Sequence, residues 1–210
     1  MKALERMMPS EAQWNCVRIP DEHDEGWIQD VKNGKYSGLV ISGSAACPED
    51  KIPWVQQLVM VIRDVTETGI PTFGLCFGHQ LLAHAWGGKV ERKVLGYKIR
   101  DICEVALHDR EDAIPSLGDS STPLEVFSSH QDQVTKAPPG WDVVAHSDRC
   151  PIQALRAPDL PIFSVQWHPE ADMGFLEDNP HPDWEKIDTT RLTELSGNQV
   201  LREFLRERMG

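Results

Sequence analysis

The residues best suited to covalent chemistry lie in Thr72-Phe73-Gly74-Leu75-Cys76-Phe77-Gly78-His79-Gln80. One cysteine stands between two glycines, apolar residues lead in from Ile70 behind Pro71, and an apolar helical pattern follows through Leu81, Leu82, Ala85 and Trp86. This is the pattern of a nucleophile elbow, a strand turning sharply into a helix at Cys76, with small residues two positions to either side because the turn leaves no room for a Cβ. A helix starting after Cys76 points free N–H groups and its positive end at the sulfur, which favours thiolate. The competing reading is a buried core cysteine with glycines that merely close a turn. The downstream stretch Pro161-Ile162-Phe163-Ser164-Val165-Gln166-Trp167-His168-Pro169-Glu170 favours the first. It predicts a buried strand ending in a histidine, with a carboxylate at i+2 that faces the same way in an extended chain. Glu170 then holds one ring nitrogen of His168 while the other faces a thiol or substrate, which supplies base and orienter for a cysteine nucleophile.

The motifs GLCFGHQ and VQWHPE together resemble the class I, or triad, glutamine amidotransferases, and are most similar to free-standing relatives of the GMP synthase amidotransferase domain. The resemblance runs from about Gly38 to Glu170 and implies a Cys76, His168, Glu170 triad. It also implies that the turn in Leu39-Val40-Ile41-Ser42-Gly43-Ser44 lies beside the nucleophile, the N–H near Gly43 joining that of Phe77 in an oxyanion hole. Attack on a γ-carboxamide creates an oxyanion, and each preorganised donor stabilises it by roughly 3 kcal/mol. Relatives carry a Ser-His-x-Asp-x-Val segment where this chain has Ser129-His130-Gln131-Asp132-Gln133-Val134, so Ser129, His130, Gln131 and Asp132 are candidates to contact the α-amino and α-carboxyl groups of glutamine. Equally, His130 and Asp132 hold their own loop together by hydrogen bonds. Gln80 is a candidate for holding glutamine, with a capping role for its amide as the alternative. Where the family shows a Gly-Trp-Glu-like segment this chain has Gly96-Tyr97-Lys98-Ile99, a departure that bears on substrate preference.

The reaction so implied is hydrolysis of a γ-glutamyl amide, in glutamine or a γ-glutamyl peptide, through a cysteine thioester, with no metal or organic cofactor. Two alternatives stand beside a self-sufficient hydrolase. One is a glutaminase subunit feeding ammonia to a separate synthetase, since the chain has no GxxxxGK[ST] loop of its own. The other is a binding or regulatory protein on the same fold, which has no physical need for the three matched side chains.

The elements that must position these residues form an α/β pattern: three αβα layers, flavodoxin-like, with a mostly parallel central sheet and an antiparallel extension. The whole of 1–210 is expected to be one domain. The short apolar strand with which relatives begin is missing, its place taken by a helix-like segment from Lys2 to Met8 and an expected strand from Trp14 to Ile19. Asp21 to Glu25 is an acidic loop, Trp27 to Val31 a short helix, and Val55, Leu58, Val59 and Ile62 one face of a helix from about Pro53. Gly69 ends that helix, and Gly87-Gly88 stop the elbow helix. Antiparallel strands are expected over Lys89 to Ala106, a loop over Asp109 to Thr122, and strands over Leu124 to Phe127, Trp141 to His146 and Ile152 to Ala157. Met173 to Asp188 is expected as a surface loop near the site mouth, and Val200, Phe204 and Leu205 as the apolar stripe of a closing helix.

Composition bounds the partners. The 210 residues carry 33 acidic against 21 basic side chains, a formal net charge of −12, with no basic run to track a phosphate backbone. Nucleic acid and membrane are therefore not expected as partners. Met1-Lys2-Ala3-Leu4-Glu5-Arg6 lacks the apolar core of a signal peptide, so a cytoplasmic protein is expected. Five cysteines at 16, 47, 76, 103 and 150 include no CxxC pair and form neither a disulfide framework nor a zinc site. His79 is expected on the helix surface or behind the site.

Overall fold

The computed structural model describes residues 2–8, 10, 12–19, 26–92, 98–108 and 122–209. The acidic stretch Asp21 to Glu25, Val94, Gly96, Tyr97 and nearly all of Asp109 to Thr122 lie outside the described residues.

The centre of the fold is a seven-stranded sheet. Three strands run parallel, β1 (Leu39–Ile41), β2 (Thr72–Leu75) and β9 (Ile162–Val165), with Leu75 level with Val165 and Ile41 level with Gly74. Antiparallel strands β8 (Cys150–Arg156), β7 (Asp142–Ser147), β4 (Ile99–Leu107) and β5 (Leu124–His130) continue it, giving the order β1-β2-β9-β8-β7-β4-β5. A separate two-stranded sheet pairs β3 (Lys89–Glu91) with β6 (Gln133–Lys136). The α/β class with an antiparallel extension is what the chain adopts, but the extension is the larger part: β7, β8 and β9 follow one another through short turns, and such connections allow only antiparallel pairing.

Alternation along the parallel strands sends side chains into two cores, which is why helices cover both faces. On one face Leu39, Ile41 and Ile162 pack with Leu58 and Ile62 of α3 (Pro53–Thr66) and with Phe77, Leu81 and Leu82 of α4 (Phe77–Ala85). On the other, Phe73, Leu75, Phe163 and Val165 pack with Val200, Leu201 and Leu205 of α6 (Gln199–Met209) and with Leu4 and Met7 of α1 (Lys2–Met7). Phe73 sits between Phe163 and Phe204, at ring-centroid distances of 5.8 and 5.1 Å. Each of these side chains that is fully buried, such as Leu75, Leu81 or Val165, contributes about 1.5–3 kcal/mol. The remaining α-helices among the described residues are α2 (Gly26–Lys32), against α3, and α5 (Met173–Asp178).

Two expectations change, the strand at Trp14 to Ile19 and the loop at Met173 to Asp188. Residues 12–18 form no strand, and Trp14, the first residue of the expected one, is exposed, so the segment buries no apolar face that would hold it against a sheet. As the sequence leads one to expect, no strand among the described residues flanks β1 on its outer side. The stretch from Met173 to Asp188 is largely helical, made of α5 and a 3-10 turn at Pro182–Lys186. No helix among the described residues is long and apolar enough to cross a membrane.

Candidate active site

The three parallel strands deliver their following residues to one end of the sheet, where open α/β sheets keep their ligand crevices. Beyond β1 lies Gly43, beyond β2 Cys76, and beyond β9 Gln166 and His168. The Cys76 N–H donates to the Val165 carbonyl at 2.9 Å, extending the ladder one step and fixing Cys76 beside the end of β9.

Cys76 has φ 49°, the only positive value at a non-glycine among the described residues. An L-residue in that region stores about 1–3 kcal/mol of strain, held here by the buried strand before it and the helix after it. The neighbouring glycines are steric requirements. A Cβ on Gly78 would run into the Ile41 carbonyl oxygen, and one on Gly74 would lie 2.8 Å from the backbone of Gly78 and 2.7 Å from Leu82. The first backbone bond of the helix is Gln80 N–H to the Cys76 carbonyl, so the N–H of Phe77 has no partner within the helix and stays beside the sulfur. Gly43 approaches from the other side; a Cβ there would lie 3.0 Å from His168 Cε1 and 3.6 Å from Cys76 Cβ. Gly43 and Phe77 thus flank the cysteine, as an oxyanion hole requires.

His168 Nδ1 and Glu170 Oε1 are 2.8 Å apart, both side chains buried. Burial alone would pull the imidazole down, but the charges of Glu170 and Cys76 and hydrogen bonds to both outweigh it and hold its pKa well above the ordinary range. The carboxylate arrives by a different route from the expected one. β9 ends at Val165, and residues 168–171 form a turn closed by the Ala171 N–H to the His168 carbonyl at 3.2 Å; this turn, not strand alternation, folds Glu170 back on the ring. The His168 ring packs on Phe175 at 5.0 Å and Phe127 at 6.4 Å, with Trp184 against Phe127 at 5.4 Å. Sequence reasoning missed this aromatic wall, because its members come from β5, α5 and the 3-10 turn and share no spacing.

The other candidates occupy a second ring of contacts. Gln80 is buried; its Nε2 donates to the Asp132 backbone carbonyl at 2.7 Å and to Gln166 Oε1 at 3.2 Å, so the NH2 of its amide is spent on these two partners and does not cap the helix. The Asp132 carbonyl also accepts from His130 Nδ1 at 3.1 Å, and the Asp132 carboxylate lies 3.5 Å from Arg92 Nε. The His130 ring thus holds its own loop through the Asp132 carbonyl, while the Asp132 carboxylate faces Arg92 outside it. Burial pushes His130 down to about 4. Ser129 and Gln131 are half-buried at the end of β5. His79 is fully buried, not on the helix surface: it meets Ser164 Oγ at 2.9 Å, and burial holds it down to about 3. Gln166, fully buried with Nε2 at 3.7 Å from Cys76 Sγ, was not singled out from the sequence, although its place one residue past the strand beside the elbow marks it. No group of three or more His, Cys, Asp or Glu among the described residues could hold a metal ion.

The comparisons with known proteins agree with this geometry. Residues 3–183 match the family described as glutamine amidotransferase class-I. A subunit of the glutamine-hydrolyzing GMP synthase of Pyrococcus abyssi is 33% identical over 144 residues, 68% of this chain and 71% of that protein. The corresponding GMP synthase subunit of Methanopyrus kandleri is 35% identical over 165 residues, 77% and 78% of the two chains. In fold, the chain is similar to a glutamine amido transferase from Methylobacillus flagellatus, with TM-score 0.78 at 22% identity over 100% of this chain and 90% of that one. It is also similar to a glutamine amidotransferase from Thermotoga maritima, with TM-score 0.68 at 22% identity over 84% and 79%. With its elbow, its buried histidine–carboxylate pair and this match over most of its length, the chain belongs to the class I glutamine amidotransferase family.

Proposed function

We propose that the protein hydrolyses a γ-glutamyl amide bond, that of glutamine or of a γ-glutamyl peptide, through a thioester on Cys76. The observation that carries this reading is the strained Cys76 at a helix start, coupled to a buried His168 that Glu170 holds at 2.8 Å. The Cys76 thiolate attacks the γ-carbonyl carbon, and the N–H groups of Gly43 and Phe77 receive the charge on its oxygen. His168 gives its proton to the departing nitrogen, which leaves as ammonia or amine. It then takes one from the water that cleaves the thioester, and glutamate and thiolate result. Glu170 orients the ring and balances its charge. Ser129, His130, Gln131 and Asp132 remain candidates for the α-amino and α-carboxyl groups, mainly through backbone groups, since two of their side chains are already engaged. The residues from 1 to 210 act in this reading as one domain.

Lys98 bears on the choice of substrate. It is solvent-exposed, and its ammonium is held below its ordinary range by neighbouring atoms that displace water and by Arg100, against the opposing pull of Cys76 and Asp132. A cation within electrostatic reach of the nucleophile suits a leaving group bearing a carboxylate, as in a γ-glutamyl peptide. A second reading has its own support: the relatives at 33% and 35% identity are named subunits of a glutamine-hydrolyzing GMP synthase, which favours a chain that works with a separate synthetase. Measuring kcat/KM of the purified chain on glutamine and on a γ-glutamyl dipeptide separates the two. Turnover of the dipeptide without a partner, with KM raised more for the dipeptide than for glutamine in Lys98→Ala, supports the self-sufficient hydrolase. Negligible turnover of both, rescued by an added synthetase, moves the assignment to the subunit. Labelling by a glutamine-derived electrophile such as diazo-oxonorleucine is expected on Cys76 alone; a label on Cys16, Cys47, Cys103 or Cys150 instead overturns both readings.

A further inference from the structure

We infer that Gln166 is a further catalytic group, whose side-chain amide donates a hydrogen bond to the Cys76 sulfur and holds it as an aimed thiolate. The inference rests on the proposed role of Cys76 as nucleophile. The direction of the amide follows from its neighbours. A backbone carbonyl can only accept, so at the Asp132 oxygen, 2.7 Å away, Gln80 must present its NH2. The same NH2 lies 3.2 Å from the Gln166 side chain, which must therefore turn its oxygen toward Gln80. The Gln166 NH2 is left facing Cys76 Sγ at 3.7 Å, within the reach of an N–H to sulfur bond. Both amides are buried, so water does not compete for either end. Asp132 carbonyl, Gln80, Gln166 and sulfur thus form one relay of fixed polarity. In it Gln80 is a positioning residue, and the Asp132 carbonyl is held in turn by the His130 ring. A donor on the sulfur stabilises thiolate more than thiol, because the bond is charge-assisted only to the anion.

The test is the rate of Cys76 alkylation by iodoacetamide across a pH series, read by peptide mass mapping on the full chain, for the parent, Gln166→Met and Gln166→Glu. The expected result is a profile displaced to higher pH in both variants, further in Gln166→Glu, with the neutral-pH rate of Gln166→Met down about tenfold, the effect of one lost hydrogen bond to a charged group. At the alkaline plateau the rates rejoin the parent, which a general loosening of the site would not produce. Gln80→Met, which frees the Gln166 amide to turn over, is expected to shift the profile in the same direction by less. Profiles that superimpose on the parent's overturn the inference, and if Gln166→Met does not fold, Gln166→Leu, which removes the donor without adding a charge, decides in its place. Alkylation needs no turnover, so a parent chain that fails to hydrolyse any γ-glutamyl amide counts against the proposed function and leaves this comparison to decide the hydrogen bond.

Discussion

Around Cys76, each neighbour has one physical job, and substitutions separate them. Glu170→Gln keeps shape and volume but removes the charge that balances the imidazolium formed during attack. Turnover of whichever γ-glutamyl amide is cleaved is expected to fall by about 10² or more with the fold intact by circular dichroism. Asp132→Asn is expected to cost much less, because the loop is held through the Asp132 backbone carbonyl, which that substitution leaves in place. A dead Asp132→Asn beside a fully active Glu170→Gln would reverse the two roles. Gly78→Ala tests the elbow itself: the added methyl group meets the Ile41 carbonyl, and rigid strand and helix on either side leave little room to yield. A loss of about 2–3 kcal/mol is expected, measured as the shift of a urea midpoint at unchanged slope. The spacing of Gly74 and Gly78 about the cysteine made this elbow legible in the sequence, because a local steric demand leaves a local mark. Gln166 left none: its partners Cys76 and Gln80 lie 90 and 86 positions away, and only parallel pairing of β2 with β9 brings them together.

Among the elements, the helices and strands with strong periodicity are where their patterns put them, and the difficult parts are those whose structure is set from outside. The α3 stripe, the elbow and the β7–β8 hairpin each carry their own apolar pattern. The segment from Met173 to Asp188 is short, acidic and rich in proline, and it folds because other elements hold it. Asp172 caps α5 by accepting from the Phe175 N–H at 2.8 Å, and its two carboxylate oxygens take the Arg6 guanidinium of α1 at 2.6 and 2.7 Å. The Arg6 hydrogen bond draws the Asp172 carboxyl below its usual range. Gly174 leaves the space for that guanidinium, since a Cβ there would lie 2.5 Å from it. Through α5, this clasp positions Phe175 on the His168 ring. Asp172→Ala, which removes cap and ion pair together, is expected to cost about 1–2 kcal/mol, and Arg6→Ala, which removes an exposed pair alone, less than that. Comparing the denaturation midpoints of the two variants checks this order; equal losses would mean that the cap contributes nothing.

For the whole molecule, the same burial that builds the site sets its response to acid. His79 and His130 are both buried, and burial holds them at about 3 and about 4. In the unfolded chain both take up a proton near pH 6.5. Between those values the unfolded state binds more protons than the folded one, so stability rises with pH. The contribution of the neutral rings is full above about pH 6.5 and is lost as pH falls toward 3, by roughly 1.4 kcal/mol per pH unit for each histidine. Asp172, held below its usual range, adds to the loss at the acid end. His168 acts in the opposite sense, its raised pKa giving stability that is full below about pH 6.5 and lost as pH rises through its folded value. Together these place the stability maximum near neutrality, well above the sequence isoelectric point of about 5.0, where net charge alone would put it. Urea denaturation of the parent and of His79→Gln through the acid range tests this. The variant, neutral at every pH, is expected to start less stable at pH 7 through lost packing and then to fall less steeply, its slope smaller by about the share of one histidine. Parallel slopes for the two proteins would show that His79 is already protonated in the fold.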